Sequence, residues 1–147
     1  MTTTNVSGIT QTNATAGGNL TGEGGAEVTS RGVCWNTSES PTVANSKTSD
    51  GIGTGSFISS LTQLIPNTKY YVKAYATNSA GTGYGSETSL TISLIVGSAY
   101  QGGVIAYILQ PGDPGYIAGE FHGLIAAPND QASKLPWQPI VYIVMNK

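Results

Sequence analysis

The stretch from Leu64 to Asn78 limits what this chain can fold into more than any other part. It reads Leu64-Ile65-Pro66-Asn67-Thr68-Lys69-Tyr70-Tyr71-Val72-Lys73-Ala74-Tyr75-Ala76-Thr77-Asn78. Side chains of an extended strand alternate between its two faces. Tyr70, Val72, Ala74 and Ala76 therefore share one apolar face, and Tyr71, Lys73, Tyr75 and Thr77 share an amphipathic, wetted one. Pro66-Asn67 supplies the turn that leads into the strand. Nowhere in residues 1–95 do apolar residues recur at i, i+3, i+4 and i+7, so helices are not expected there.

The surrounding sequence repeats the same design. Strand-like runs lie near Thr4–Ile9, Ala14–Leu20, Val28–Trp35, Ser56–Leu61 and Thr88–Ile92, with a weaker one at Ser46–Ser49. Gly22-Glu23-Gly24-Gly25, Ser40-Pro41, Asp50-Gly51 and Ser79-Ala80-Gly81 are the turn markers between them. Short strands with turn signals every eight to twelve residues or so are the pattern of an all-β sandwich. Charged residues make up only 10% of the chain and Gly numbers 20. That balance suits strands and tight turns, since Gly supplies positive φ and Thr fits a pleated surface. Eight Tyr and two Trp argue against disorder.

Tyr70 stands where its hydroxyl can reach back to the preceding loop, the tyrosine-corner arrangement of Greek-key sandwiches. The pattern Leu64-x-Pro66-x-Thr68-x-Tyr70-x-Val72-x-Ala74-x-Ala76-x-Asn78 resembles the corner and penultimate strand of fibronectin type III domains. Arg31-Gly32-Val33-Cys34-Trp35, Ser46-Lys47-Thr48 and Tyr75-Ala76-Thr77-Asn78-Ser79-Ala80-Gly81 resemble the variant repeated in bacterial surface and secreted proteins. The resemblance covers about two thirds of the chain. It implies a fibronectin type III (immunoglobulin-like) Greek-key sandwich over residues 1–95, located extracellularly or on the cell surface. Ordinary members carry a Trp in their second strand, whereas Ala14–Leu20 has none. Trp35 is the expected substitute for that core volume.

Residues 96–147 differ in character. Gln101–Leu109 is a Gly-led apolar run, Pro111-Gly112-Asp113-Pro114-Gly115 is turn chemistry, and His122–Ala127 reads as a return strand, together a β-hairpin extension. The order Gly102-Gly103-x-Ile105-x-Tyr107-Ile108, then His122–Ala127, Asp130-Gln131 and Trp137, resembles the opening of the lectin-like C-terminal domain of bacterial collagen-like adhesins. The final segment, with Ile140–Met145 at its centre, is strongly β-prone. It reads either as a terminal strand or as the product of truncation or a frameshift, and as a route to self-association by strand addition.

Catalytic chemistry is sparse. His122 is the single histidine and Cys34 the single cysteine, so any triad or metal site would rest on one of each. A polar hairpin end and a small core hydrophobe are the simpler roles. Asp113, Glu120 and Asp130 lack the spacing of a calcium loop. Gly51-Ile52-Gly53-Thr54-Gly55 lacks the Gly-Lys-Ser/Thr ending of a phosphate loop. The chain is thus expected to be no enzyme, with no cofactor and no metal.

The net charge of −2 with six Lys+Arg excludes a nucleic-acid binder. Ile140–Met145 is too short to span a bilayer, and the N-terminus shows no signal peptide. Sequons at Asn5, Asn13, Asn19 and Asn36 matter only in a host that glycosylates them. Tyr71, Tyr75 and Tyr84 are the candidate ligand-binding residues, because amphipathic aromatics on a sheet can stack on sugars or dock a protein. The expected role is an adhesion-type binding or spacer module meeting a protein or glycan at a cell surface. A carbohydrate-binding protein and a filament subunit assembled through residues 140–145 are the alternatives.

Overall fold

A computed structural model describes the backbone of residues 1–97, 99–100, 103–113, 121–126 and 141–145, and the side chains of residues 1–97 and 107–113. Two compact units result, Met1–Ser93 and Leu94–Lys147.

The first unit is an antiparallel sandwich with Greek-key connections, the fibronectin type III-like fold. Its smaller sheet joins β1 (Thr2–Thr3), β2 (Ala14–Leu20) and β5 (Gly55–Leu61) in the order β1-β2-β5. The larger sheet orders β4 (Ser46–Lys47), β3 (Ser30–Asn36), β6 (Thr68–Asn78) and β7 (Gly81–Tyr84), with β8 (Thr88–Ile92) also on β6. The chain crosses between sheets from β2 to β3, from β4 to β5 and again from β5 to β6.

The corner forms as its residues dictate. Leu64 and Tyr70 are buried, and the Ile65 amide donates to Tyr70 Oη at 2.9 Å. Thr68 Oγ1 donates to the Pro66 carbonyl at 3.2 Å, which holds the turn at the start of β6. One such bond contributes about 1 kcal/mol net. Val72 and Ala74, on the same face, are fully enclosed.

Three expectations are corrected. A strand at Thr4–Ile9 is replaced by β1 at Thr2–Thr3 and an isolated bridge from Ser7 to Thr15. The register slips by one between Thr3↔Gly18 and Ser7↔Thr15, a bulge in which Val6 packs against the core. The Gly81–Tyr84 segment, expected as a turn and its continuation, is a strand paired with Tyr75–Asn78 across a tight Ser79-Ala80 hairpin. Trp35 does face inward, in register with Val72, but it is only half-buried at the core's edge. The volume opposite the second strand belongs to Phe57. Gly18 is its register partner, and a Cβ there would meet Phe57 Cζ at 2.9 Å and Ala74 Cβ at 2.7 Å. Glycine at 18 makes the room that the ring fills.

Registers also fix where the chain enters and leaves. Thr2 pairs with Asn19, near the Leu20 end of β2, and Met1 packs there on Leu20, Val28 and Ala76. Ile92 pairs with Thr68, at the opposite end of β6. Entry and exit are therefore at opposite poles.

In the second unit the described residues form a four-stranded antiparallel sheet, ordered β12-β11-β10-β9. Its strands are β9 (Ala99–Tyr100), β10 (Gly103–Ile108), β11 (Phe121–Ala126) and β12 (Val141–Met145). β10 and β11 form the hairpin, with a register shift between Ile105 and Tyr107. β12 pairs with β11 of the same chain, Val141 opposite Ile125. Gln101-Gly102, Pro114-Gly115, Glu120, Ala127, Asp130-Gln131, Trp137 and Ile140 lie outside the described residues.

Candidate functional site

The three tyrosines proposed for ligand contact all project from the outer face of the larger sheet. Tyr71 and Tyr75 are four residues apart on β6, roughly 13 Å along the strand. Tyr75 is in register with Tyr84 on β7. That face is not an open aromatic platform, because the loop between β3 and β4 returns across it. The Ser40 amide donates to Glu87 Oε2 at 2.6 Å, beside the far edge. The Val43 amide donates to Tyr84 Oη at 3.1 Å, while Lys47 Nζ donates to the Val43 carbonyl at 2.8 Å. Val43 thus links Tyr84 on β7 through its amide and Lys47 on β4 through its carbonyl, and Pro41 in the same loop is fully buried.

Tyr75 is the clearest correction. It was expected on a wetted surface, yet it is 2% exposed. Its ring lies on the side of Gly32, its register partner, and its hydroxyl donates to the Thr48 carbonyl at 2.7 Å. A Cβ on Gly32 would meet that same carbonyl oxygen at 2.5 Å, so only glycine lets the segment after β4 approach this closely. Tyr84 is partly exposed but its hydroxyl is committed to Val43. Tyr71 is half-buried, with Lys69 Nζ 4.8 Å from its ring centroid. Each of the three makes a contact within the fold: Tyr75 to the Thr48 carbonyl, Tyr84 to the Val43 amide and Tyr71 to Lys69.

Arg31 was not singled out in the sequence, although it shares its strand face with Val33 and Trp35. It points inward, 5.4 Å over the Phe57 ring. Its Nη1 donates to the carbonyls of Gly53 at 3.1 Å and Thr54 at 2.5 Å. The Gly-rich loop at 51–55 therefore presents carbonyl oxygens to a cation, the opposite polarity to a phosphate cradle. Nearby, Asp50 Oδ2 accepts from Thr48 Oγ1 at 2.6 Å and from buried Ser59 Oγ at 2.5 Å. This carboxylate ties the connector to β5.

The remaining candidates are structural in their surroundings. Asp113 Oδ2 accepts from Tyr107 Oη at 2.8 Å and from the Gln110 amide at 2.7 Å, which caps the turn after β10. His122 stands on β11 opposite Val144. Among the described residues, no three His, Cys, Asp or Glu side chains gather into a metal-binding group.

Cys34 is fully buried, and its thiol donates to the Lys73 carbonyl at 3.5 Å. Burial pushes the thiol up, against weaker opposing pulls from backbone hydrogen bonds and from Lys73 and Lys47. A group held up in the folded state favours folding below its unfolded value and loses that contribution as pH rises. Stability is therefore expected to decline as pH climbs past about 8.5, the ordinary thiol value. In Cys34→Ala that part of the decline should vanish. The native thiol should also resist alkylation at pH 8 until the chain unfolds, and prompt labelling of folded protein would contradict its burial.

No protein-family model matches the chain, and no curated protein matches it. Solved structures with similar folds do exist. The FN1–FN3 domains of chicken CNTN1 align with a TM-score of 0.49 and 18% identity over 61% of this chain. The chain spans 30% of that structure's length. A myokine structure aligns at 0.45 and 12%, covering 63% of this chain and 97% of its own. A computationally redesigned β-sandwich protein aligns at 0.42 and 23%, covering 62% and 92%.

Proposed function

We propose that residues 1–93 act as a rigid, non-catalytic spacer in a bacterial cell-surface or secreted protein. The supporting observation is the strand register that puts chain entry and chain exit at opposite poles. A unit built this way transmits position along its long axis, set by the eleven-residue β6. Its aromatic and polar groups are spent on tying loops to the sheets. The extracellular setting draws on the resemblance of the corner and of Arg31–Trp35 to bacterial surface repeats. Contact with a protein or glycan then belongs to whatever the spacer carries, and the lectin-like resemblance of residues 98–137 makes the second unit its place in this chain.

Nitroxide labels at Thr2→Cys and Ser93→Cys in the full chain test the geometry by pulsed electron spin resonance, with buried Cys34 left unlabelled. At about 3.3 Å per strand residue, the labels should be roughly 30 Å apart. A separation under about 15 Å, one half of that span, would place both ends at one pole and remove the basis for a spacer.

A further inference from the structure

The smaller sheet ends on β5, and among the described residues one side of that strand is open. The Thr4 amide donates to the Gly17 carbonyl at 3.0 Å, and Thr15 and Ser7 exchange two bonds of 2.8 Å. Thr15 and Gly17 thus turn their backbone groups toward the first strand, away from β5. Their register partners there are Ser60 and Ile58. Backbone groups alternate in direction along a strand. Those of Phe57 and Ser59 therefore bond β2, and those of Ser56, Ile58 and Ser60 face outward. Among the described residues none of these three bonds another backbone group or a side chain.

This strand lacks two of the usual protections of a sheet edge. Gly55–Leu61 contains no charge and no proline, the devices that normally keep edge strands from pairing. Ile58 at its centre is 78% exposed, and its neighbour across the sheet, Gly17, has no side chain to cover it. The outward-facing residues read Ser56, Ile58, Ser60, which is the same in both directions. A two-fold interface requires a surface complementary to itself, and this segment has that property.

We propose that β5 is a self-pairing edge, to which a second copy of this chain adds its own β5 antiparallel about a two-fold axis at Ile58. Ile58 then faces its counterpart as a hydrogen-bonded pair, and Ser56 faces Ser60 of the other copy on each side. The two smaller sheets become one continuous sheet, and the two Ile58 side chains cover each other. This assembly is separate from the spacer geometry and does not use the C-terminal strand.

Sedimentation velocity over a rising concentration series tests it on the full chain. The mass should move from 15.1 kDa toward twice that value. Ile58→Lys should shift the midpoint at least tenfold higher in concentration. Cysteine variants read the register independently of that substitution's effect on folding. Ile58→Cys puts the paired Cα atoms about 5.5 Å apart, inside disulfide reach. Ser60→Cys separates its two copies by about 13 Å. Copper-catalysed air oxidation should therefore cross-link Ile58→Cys and leave Ser60→Cys monomeric. A wild-type chain that stays monomeric, an Ile58→Lys chain that associates like wild type, or equal cross-linking of the two cysteine variants would each overturn the proposal.

Discussion

Phe57→Ala is expected to destabilise the first unit by about 3–5 kcal/mol, the range for deleting a large buried aromatic. The surroundings favour the upper part of that range. The ring lies over Gly18, which has no side chain, and its other inward neighbours on β2 and β6 include Ala16 and Ala74. None of these can swing into the space, so the cavity persists. The Arg31 guanidinium also loses the ring face beneath it, an interaction worth about 0.5–2 kcal/mol depending on solvation. Whole domains are stable by only about 5–15 kcal/mol, so the loss is a large share. Urea unfolding followed by circular dichroism measures it. A change under 1 kcal/mol would show that the ring does not fill the space left by the missing second-strand Trp.

Tyr75→Ala should cost nearly as much, about 3 kcal/mol or more, while Tyr71→Ala should stay within about 1 kcal/mol. Both residues project from the same face of the same strand, and sequence alternation cannot tell them apart. Tyr75 is enclosed and carries a 2.7 Å bond to the Thr48 carbonyl. Tyr71 is half-exposed, and beyond its cross-strand pairing with Ser89 and Asn36 its contact is a lysine over the ring. Thermal unfolding of the two variants side by side decides the matter. Equal, small effects would return Tyr75 to the surface and reopen the face as a ligand platform.

Much of the fold was legible because its signals are local. From Leu64 to Asn78, strand alternation, the Pro66-Asn67 turn and the corner tyrosine sit in contiguous residues, and each acts over a few positions. Ala14–Leu20 and Thr88–Ile92 were legible for the same reason. The β7 strand was not, since the two glycines of Gly81-Thr82-Gly83-Tyr84 read as a continuation of the turn. It extends because the hairpin at Ser79-Ala80 lays it along the edge of β6, where backbone pairing outweighs composition. The first strand was misplaced because a one-residue bulge carries Val6 into the core, and nothing in Thr2–Ile9 marks the slip.

The candidate site was the least legible part. Alternation correctly assigned Tyr71 and Tyr75 to one face of β6, and it correctly gave Val72 and Ala74 the other. Whether that outer face meets water depends on the loop from 37 to 45, whose Val43 peptide is held by Tyr84 on one side and Lys47 on the other. The exposed β5 edge depends equally on which strand ends the sheet. Sequence by itself determined the period, the turns and the corner, because those follow from the stereochemistry of neighbouring residues. Tertiary structure alone decided which tyrosine is buried, which ring fills the core and which edge is left open. Those outcomes come from contacts between segments tens of residues apart, and no local pattern encodes them.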